Sequence, residues 1–243
     1  LRALLREEGV SFQVIKTWKQ SNDPDFEAKK NRVLELYDIA DGKVVAGEGD
    51  PGVVFCMDEF GPLNLLPRPG KQWAPAATRA TAGAGGGPRR RRRRATYTRT
   101  QGVRHLMAAL NLNTDQMYGH VKLNKNRTTF LGFCRYLRSL YPIDVRIAIV
   151  MDNFSPHLST AKDQRVGIWA AANNVELAYV PTNASWLNRI ECQFTALRYF
   201  TLDGTDHRTH EEQNSMIRRY LAWRNRHTDN AELRDISIRA KVA

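Results

Sequence analysis

Two apolar runs of the same design constrain what this chain can fold into. Residues 53–57, Val-Val-Phe-Cys-Met, end in Asp58, and residues 145–151, Val-Arg-Ile-Ala-Ile-Val-Met, end in Asp152. Each is too short for a buried helix, is rich in β-branched residues and is closed by a turn-forming segment, so each reads as a strand buried on both faces. Residues 175–180, closed by Pro181, make a third such strand. A sheet buried on both faces needs helices on both sides. The sequence supplies them: Phe130, Phe133, Leu137 and Leu140 recur at helical spacing over residues 127–140, Pro142 stops that helix, and residues 160–172 form another. Leu187, Ile190, Phe194 and Leu197 stack over residues 186–200, and Thr209-His210-Glu211-Glu212 is a capping box opening a helix to about Arg226.

The remaining segments fill in the order. Residues 63–66 are expected to pair back across Gly61-Pro62, and residues 103–110 and 115–121 form two strands joined at 111–114. Residues 1–37 read as two short helical stretches, the second placing Phe26, Val33 and Tyr37 near one face, as a lead-in rather than core. Strands first, then alternating helix and strand, then helices give an α/β layer fold with a mixed sheet. Residues 74–95 break the pattern. They are Ala/Thr/Gly-rich and then polyarginine, with no periodicity that buries a face, and are expected to form a loop.

Charge points to a polyanionic partner. Half of the net charge of +12 sits in Arg89, Arg90, Arg91, Arg92, Arg93 and Arg94. With no basic amphipathic helix bearing an aromatic face, nucleic acid is favoured over an acidic membrane surface. No apolar run approaches a membrane span and no signal-peptide order opens the chain, which begins on Leu1 as a fragment would. Cys56, Cys134 and Cys192 are too far apart for a zinc knuckle and read as reduced, intracellular thiols.

Three carboxylates are placed to carry chemistry. Asp58 and Asp152 terminate rigid strands that can aim them into one cleft, and Glu191 falls on the rim of the apolar face of its helix. Three such groups converging suit two Mg²⁺ ions, hard cations that take oxygen ligands and serve phosphodiester chemistry. Acids at strand ends also act as turn formers and caps, so spacing alone does not decide. Asn153 and His157 follow Asp152 in a turn, suited to orienting a water, contacting a phosphate or making local hydrogen bonds. Asn188 flanks the loop before Glu191. Glu59 follows Asp58 directly, points to the opposite face of a continuing strand and is excluded.

The segments around these acids, Met57-Asp58-Glu59-Phe60-Gly61-Pro62, Met151-Asp152-Asn153-Phe154-Ser155-Pro156-His157 and the run Pro181-Thr182-Asn183-Ala184-Ser185-Trp186-Leu187-Asn188-Arg189-Ile190-Glu191, together resemble the DDE transposases of bacterial insertion sequences in the mariner superfamily, the IS-six-thirty group. The resemblance runs from about Ser11 to the C-terminus and takes in Arg68-Pro69-Gly70-Lys71-Gln72-Trp73, Tyr97-Thr98-Arg99 and Trp223-Arg224-Asn225. It implies an RNase H-like fold, a metal-binding catalytic triad of Asp58, Asp152 and Glu191, two Mg²⁺ or Mn²⁺ ions with Asn153, His157 and Asn188 behind them, and cutting and joining of double-stranded DNA by a homodimer. The same resemblance gives the division into residues 1–49, the tail of a helix-turn-helix region with a linker, 50–228, the catalytic domain carrying the 74–95 insert, and 229–243, a helical tail. The arginine run is the expected DNA contact, and the expected location is cytoplasmic, at the nucleoid. A DNA-binding remnant or regulator that no longer transposes is the alternative, favoured by the short start and the insert.

Overall fold

The computed structural model describes residues 7–8, 20–68 and 101–228. Five strands form one sheet in the order β3-β2-β1-β4-β5: β1 (Val53–Asn64), β2 (Val103–Asn111), β3 (Gln116–Lys122), β4 (Ile147–Met151) and β5 (Val175–Tyr179). β1, β2 and β3 are antiparallel neighbours, whereas β1, β4 and β5 run parallel. The helices are α1 (Phe26–Ala40), α2 (Arg127–Ser139), α3 (Arg165–Ala172), α4 (Glu191–Thr201) and α5 (His210–Arg226).

Strand alternation divides the core in two. Val54, Cys56, Ala148 and Val150 point to one face, where they pack with α1, α4 and α5. Val53, Phe55, Met57, Ile147, Ile149 and Met151 point to the other, against α2 and α3. Among the described residues no helix is long and apolar enough to cross a membrane.

Four expectations are corrected. β1 does not close at Asp58 and fold back; it continues to Asn64, with Leu63 and Asn64 pairing Arg104 and Val103 beyond a register shift after Phe60. Cross-strand hydrogen bonds outweigh the turn signal of Gly61-Pro62 because the bulge absorbs the proline at a strand end. Helix α3 starts only at Arg165, since Thr160 and Asp163 form an isolated bridge. The helix expected from Trp186 is split: Ser185–Leu187 is one 3₁₀ turn, and α4 begins at Glu191 itself. Finally, α1 is core and no mere lead-in, because Val33, Leu36 and Tyr37 are buried in the first cluster.

Trp223-Arg224-Asn225 has a structural use. Asn225 exchanges two hydrogen bonds of 2.8 Å with the Met117 backbone, and Arg224 holds Asp115 at 2.5 Å. Together they tie α5 to the first residues of β3, and Asn225 satisfies the outward backbone groups of that edge strand at Met117.

Candidate active site

The parallel register of β1 and β4 builds the site. Val53 faces Ile147 and Cys56 faces Val150, and the same offset carried on places Asp58 beside Asp152. Both lie on the face that holds Cys56 and Val150, toward α1 and α4. The loop into α4 is sewn to β1 just before Asp58: Asn188, 1% exposed, donates from Nδ2 to the Met57 carbonyl at 2.9 Å. The Glu191 amide then donates to Asn188 O at 3.1 Å, so Glu191 occupies the first position of α4, exposed, instead of a mid-helix rim. An acid there is favoured by the helix dipole.

The acids differ in their electrostatics. Burial, with the added charges of Asp152 and Glu191, pushes Asp58 up to about 7. Burial would raise Asp152 too, but the hydrogen bond from His157 outweighs it and holds that carboxyl below its ordinary value. His157 Nδ1 stands 2.8 Å from Asp152 Oδ1, and Nε2 stands 2.6 Å from Glu59 Oε1. Two carboxylate acceptors require both ring nitrogens to donate, which is the imidazolium form. Burial opposes that charge, yet the bonds to Asp152 and Glu59 raise His157 to about 9. The ring is boxed by Phe130 at 4.5 Å and Phe154 at 5.5 Å. Its backbone is fixed by Tyr179 Oη donating to His157 O at 2.8 Å and by Arg127 gripping Ser155 O and Leu158 O at 3.1 and 3.0 Å.

Asp58, Asp152, His157 and Asn188 thus lie at the adjoining ends of β1 and β4, with Glu191 three residues past Asn188 at the start of α4. Asn153 is not among them: its Nδ2 donates to Val180 O at 2.6 Å and ties β4 to the end of β5. The six arginines from Arg89 to Arg94 lie outside the described residues. Glu59 does point to the opposite face, as alternation requires, but its exclusion misses that His157 reaches round the end of β4 to join both faces.

Two further contributors come from α1 and its C-cap, Asp41. Tyr37 Oη donates to Leu187 O at 2.7 Å and accepts from Cys56 Sγ at 3.4 Å. Its ring lies under the Arg189 guanidinium at 4.0 Å, and Asp41 grips that guanidinium with both oxygens at 2.8 Å. No sequence signal links residues so far apart.

Carboxylates are hard oxygen donors of the kind that Mg²⁺ and Mn²⁺ take, and an acid raised by burial and by the charges of two further acids gains from a nearby cation. The donor chemistry therefore fits a divalent ion, although among the described residues no three His, Cys, Asp or Glu side chains are gathered into a ready-made cage.

The family model of the DDE superfamily endonucleases matches residues 53–214, a span that opens with β1 and contains all three acids. The chain belongs to this family. No curated protein matches it. Among solved structures, this DDE endonuclease is similar to the Mos1 mariner paired end complex with Mn, at TM-score 0.58 and 15% identity, over 98% of this chain and 68% of that one. A Mos1 paired-end complex with left transposon end is similar at TM-score 0.57 and 16% identity, over 98% and 69%. The catalytic domain of Mos1 mariner transposase is similar at TM-score 0.50 and 13% identity, over 93% and 96%. The fold of this DDE endonuclease is accordingly the RNase H-like one of that catalytic domain, a mixed sheet flanked by helices.

Proposed function

We propose that this DDE endonuclease is the catalytic domain of a DNA transposase that cleaves and joins double-stranded DNA, with Asp58, Asp152 and Glu191 holding two Mg²⁺ or Mn²⁺ ions. The observation that supports the reading is the placement of Asp58 and Asp152 on one face by the parallel register, with the charge of Glu191 felt at Asp58. Asp58, Asp152 and Glu191 would hold the ions, which when bound would supply Lewis-acid polarisation of a phosphate and charge stabilisation of a leaving oxygen. The chain's own residues do the positioning. Asn188 locks the α4 start to β1, and His157, braced by Glu59, holds Asp152 by its Oδ1 in one orientation, with the second oxygen taking no hydrogen bond among the described residues. The similarity to Mos1 complexes, which are structures with transposon ends and with Mn or Mg, supports a DNA partner and a divalent ion.

The finer reading follows the motifs: an insertion-sequence transposase of the IS-six-thirty group, acting in the bacterial cytoplasm as a homodimer. Residues 1–49 then belong to a DNA-recognition module, 50–228 to the catalytic domain and 229–243 to a helical tail, and Arg89 to Arg94 meet phosphates.

Nicking of supercoiled plasmid with Mg²⁺ or Mn²⁺ tests this. Asp58→Asn, Asp152→Asn and Glu191→Gln are each expected to abolish nicking and weaken Mn²⁺ binding measured by calorimetry, with duplex affinity in EDTA unchanged. Full nicking by any one of them overturns the triad. A wild-type chain that binds duplex and never nicks is the DNA-binding remnant instead.

A further inference from the structure

A second charged feature lies along α4 from the carboxylates. Arg68 follows β1, and its amide donates to Thr205 O at 2.9 Å, which seats it on the turn that closes α4. That turn is wound on Arg198: the amides of Leu202 and Asp203 both donate to Arg198 O at 3.0 Å. Asp203 Oδ1 stands 3.5 Å from Arg198 Nε. Among the described residues, Arg68 Nε is buried and has no hydrogen-bond partner. Burial first, then the charge of Arg198, lowers the proton affinity of Arg68, and Asp203 opposes that only in part. Arg198 thus has Asp203 as its ion-pair partner, and with Arg68 seated on the same turn the corner carries a surplus positive charge and, among the described residues, a buried donor without an acceptor.

Position gives this feature meaning. Glu191 and Arg198 are seven residues apart on α4, which puts them on the same helix face about 10 Å apart along the axis. Between them Phe194 stacks on Phe60 at 5.1 Å, and Phe60 lies two residues beyond Asp58 on the same face of β1. A stripe thus runs from the carboxylates across two phenylalanines to the arginine pair. One DNA strand advances roughly 3.4 Å per phosphate along its axis, so the pair stands about three nucleotides from the carboxylates.

We propose that Arg68 and Arg198 form a clamp for a DNA backbone phosphate about three nucleotides from the phosphate held at the acids. Guanidinium forks match phosphate oxygens, and an incoming phosphate supplies both the missing acceptor and the missing charge. Such a contact sets the register of the duplex on the enzyme and reads no sequence. The inference rests on duplex DNA being the substrate.

The test uses the whole chain and a short duplex of arbitrary sequence, with affinity measured in EDTA across a KCl series. Arg198→Gln is expected to lower the slope of log affinity against log salt by about 0.9, and the Arg68→Gln/Arg198→Gln pair by about 1.8. Arg198→Lys keeps the slope. Arg198 is 61% exposed, so its Gln variant folds even where that of Arg68 does not, and melting curves check both. An unchanged slope in Arg198→Gln overturns the clamp. Because binding in EDTA needs no cleavage, a wild-type chain that fails to nick counts against the transposase reading and leaves the clamp standing. Normal nicking with unchanged slopes does the reverse.

Discussion

Replacing Arg189 with Ala removes a guanidinium that lies on the Tyr37 ring at 4.0 Å and is held by both Asp41 oxygens at 2.8 Å, two residues before Glu191. Breaking a fully buried pair by removing one partner costs about 3–5 kcal/mol. Here the Asp41 side chain is 23% exposed and also meets Lys43 Nζ at 3.2 Å, so it keeps a counter-charge. The ion-pair loss then falls to about 1 kcal/mol, and the lost cation–π contact adds about 1 kcal/mol. Roughly 2 kcal/mol in a chain of this size lowers the melting temperature by about 4–8 °C. The bonds from Tyr37 Oη to Leu187 O and from Asn188 to Met57 O remain. The loop therefore stays folded while the segment carrying Glu191 gains freedom. Misplacing a catalytic group by an ångström costs about 100-fold. Initial nicking rates at 25 °C, with duplex affinity in EDTA and a melting curve alongside, are expected to show that fall with affinity unchanged. Arg189→Lys keeps the charge but loses the flat stack, and is expected to fall between. A variant that melts 4–8 °C lower yet nicks at the wild-type rate refutes the positioning argument, and an unchanged melting temperature refutes the energetic one.

Glu59→Ala leaves His157 Nε2 buried without its acceptor; the expected cost is about 2 kcal/mol in a denaturant titration, with slower nicking because Asp152 loses its braced partner, and Glu59→Gln recovers most of both. A Glu59→Ala chain as stable as wild type contradicts this. The Lys29 hydrogen bond, with the Thr182 amide, holds Asp23 at about 2 against an ordinary 3.8. The folded chain thus binds this proton less readily than the unfolded one, and the contribution is complete above about pH 4 and is lost as pH falls through 2. Asp23→Asn is expected to lower the melting temperature at neutral pH and flatten its fall between pH 4 and 2; parallel acid limbs in both chains count against it.

Local order was legible in the residues wherever burial imposes a period. Unbroken apolar runs give the start of β1 and β4, and the 3–4 spacing gives α2, because a chain that buries those side chains has few other ways to satisfy its backbone; residues 175–179 do form β5, but as a half-buried edge strand carrying Glu176 and not as a third strand buried on both faces. Asp58 and Asp152 stand out for the same reason, as the first acids after unbroken apolar runs, although β1 continues through Asp58. The rest depends on partners distant in sequence. Whether Glu191 sits inside a helix or at its start turned on Asn188 reaching Met57 O across 131 residues, a bond that interrupts a good helical pattern because it satisfies a buried carbonyl. Alternation correctly sends Glu59 away from Asp58, and only the folded loop after β4 brings His157 between the two faces. Residues 26–40 carry a weak amphipathic pattern, yet α1 is core because Tyr37 finds Cys56, Leu187 and Arg189 at once. Periodicity records which side of an element is buried. Which side chains meet there is decided by strand register and helix packing, and these are properties of the assembled sheet.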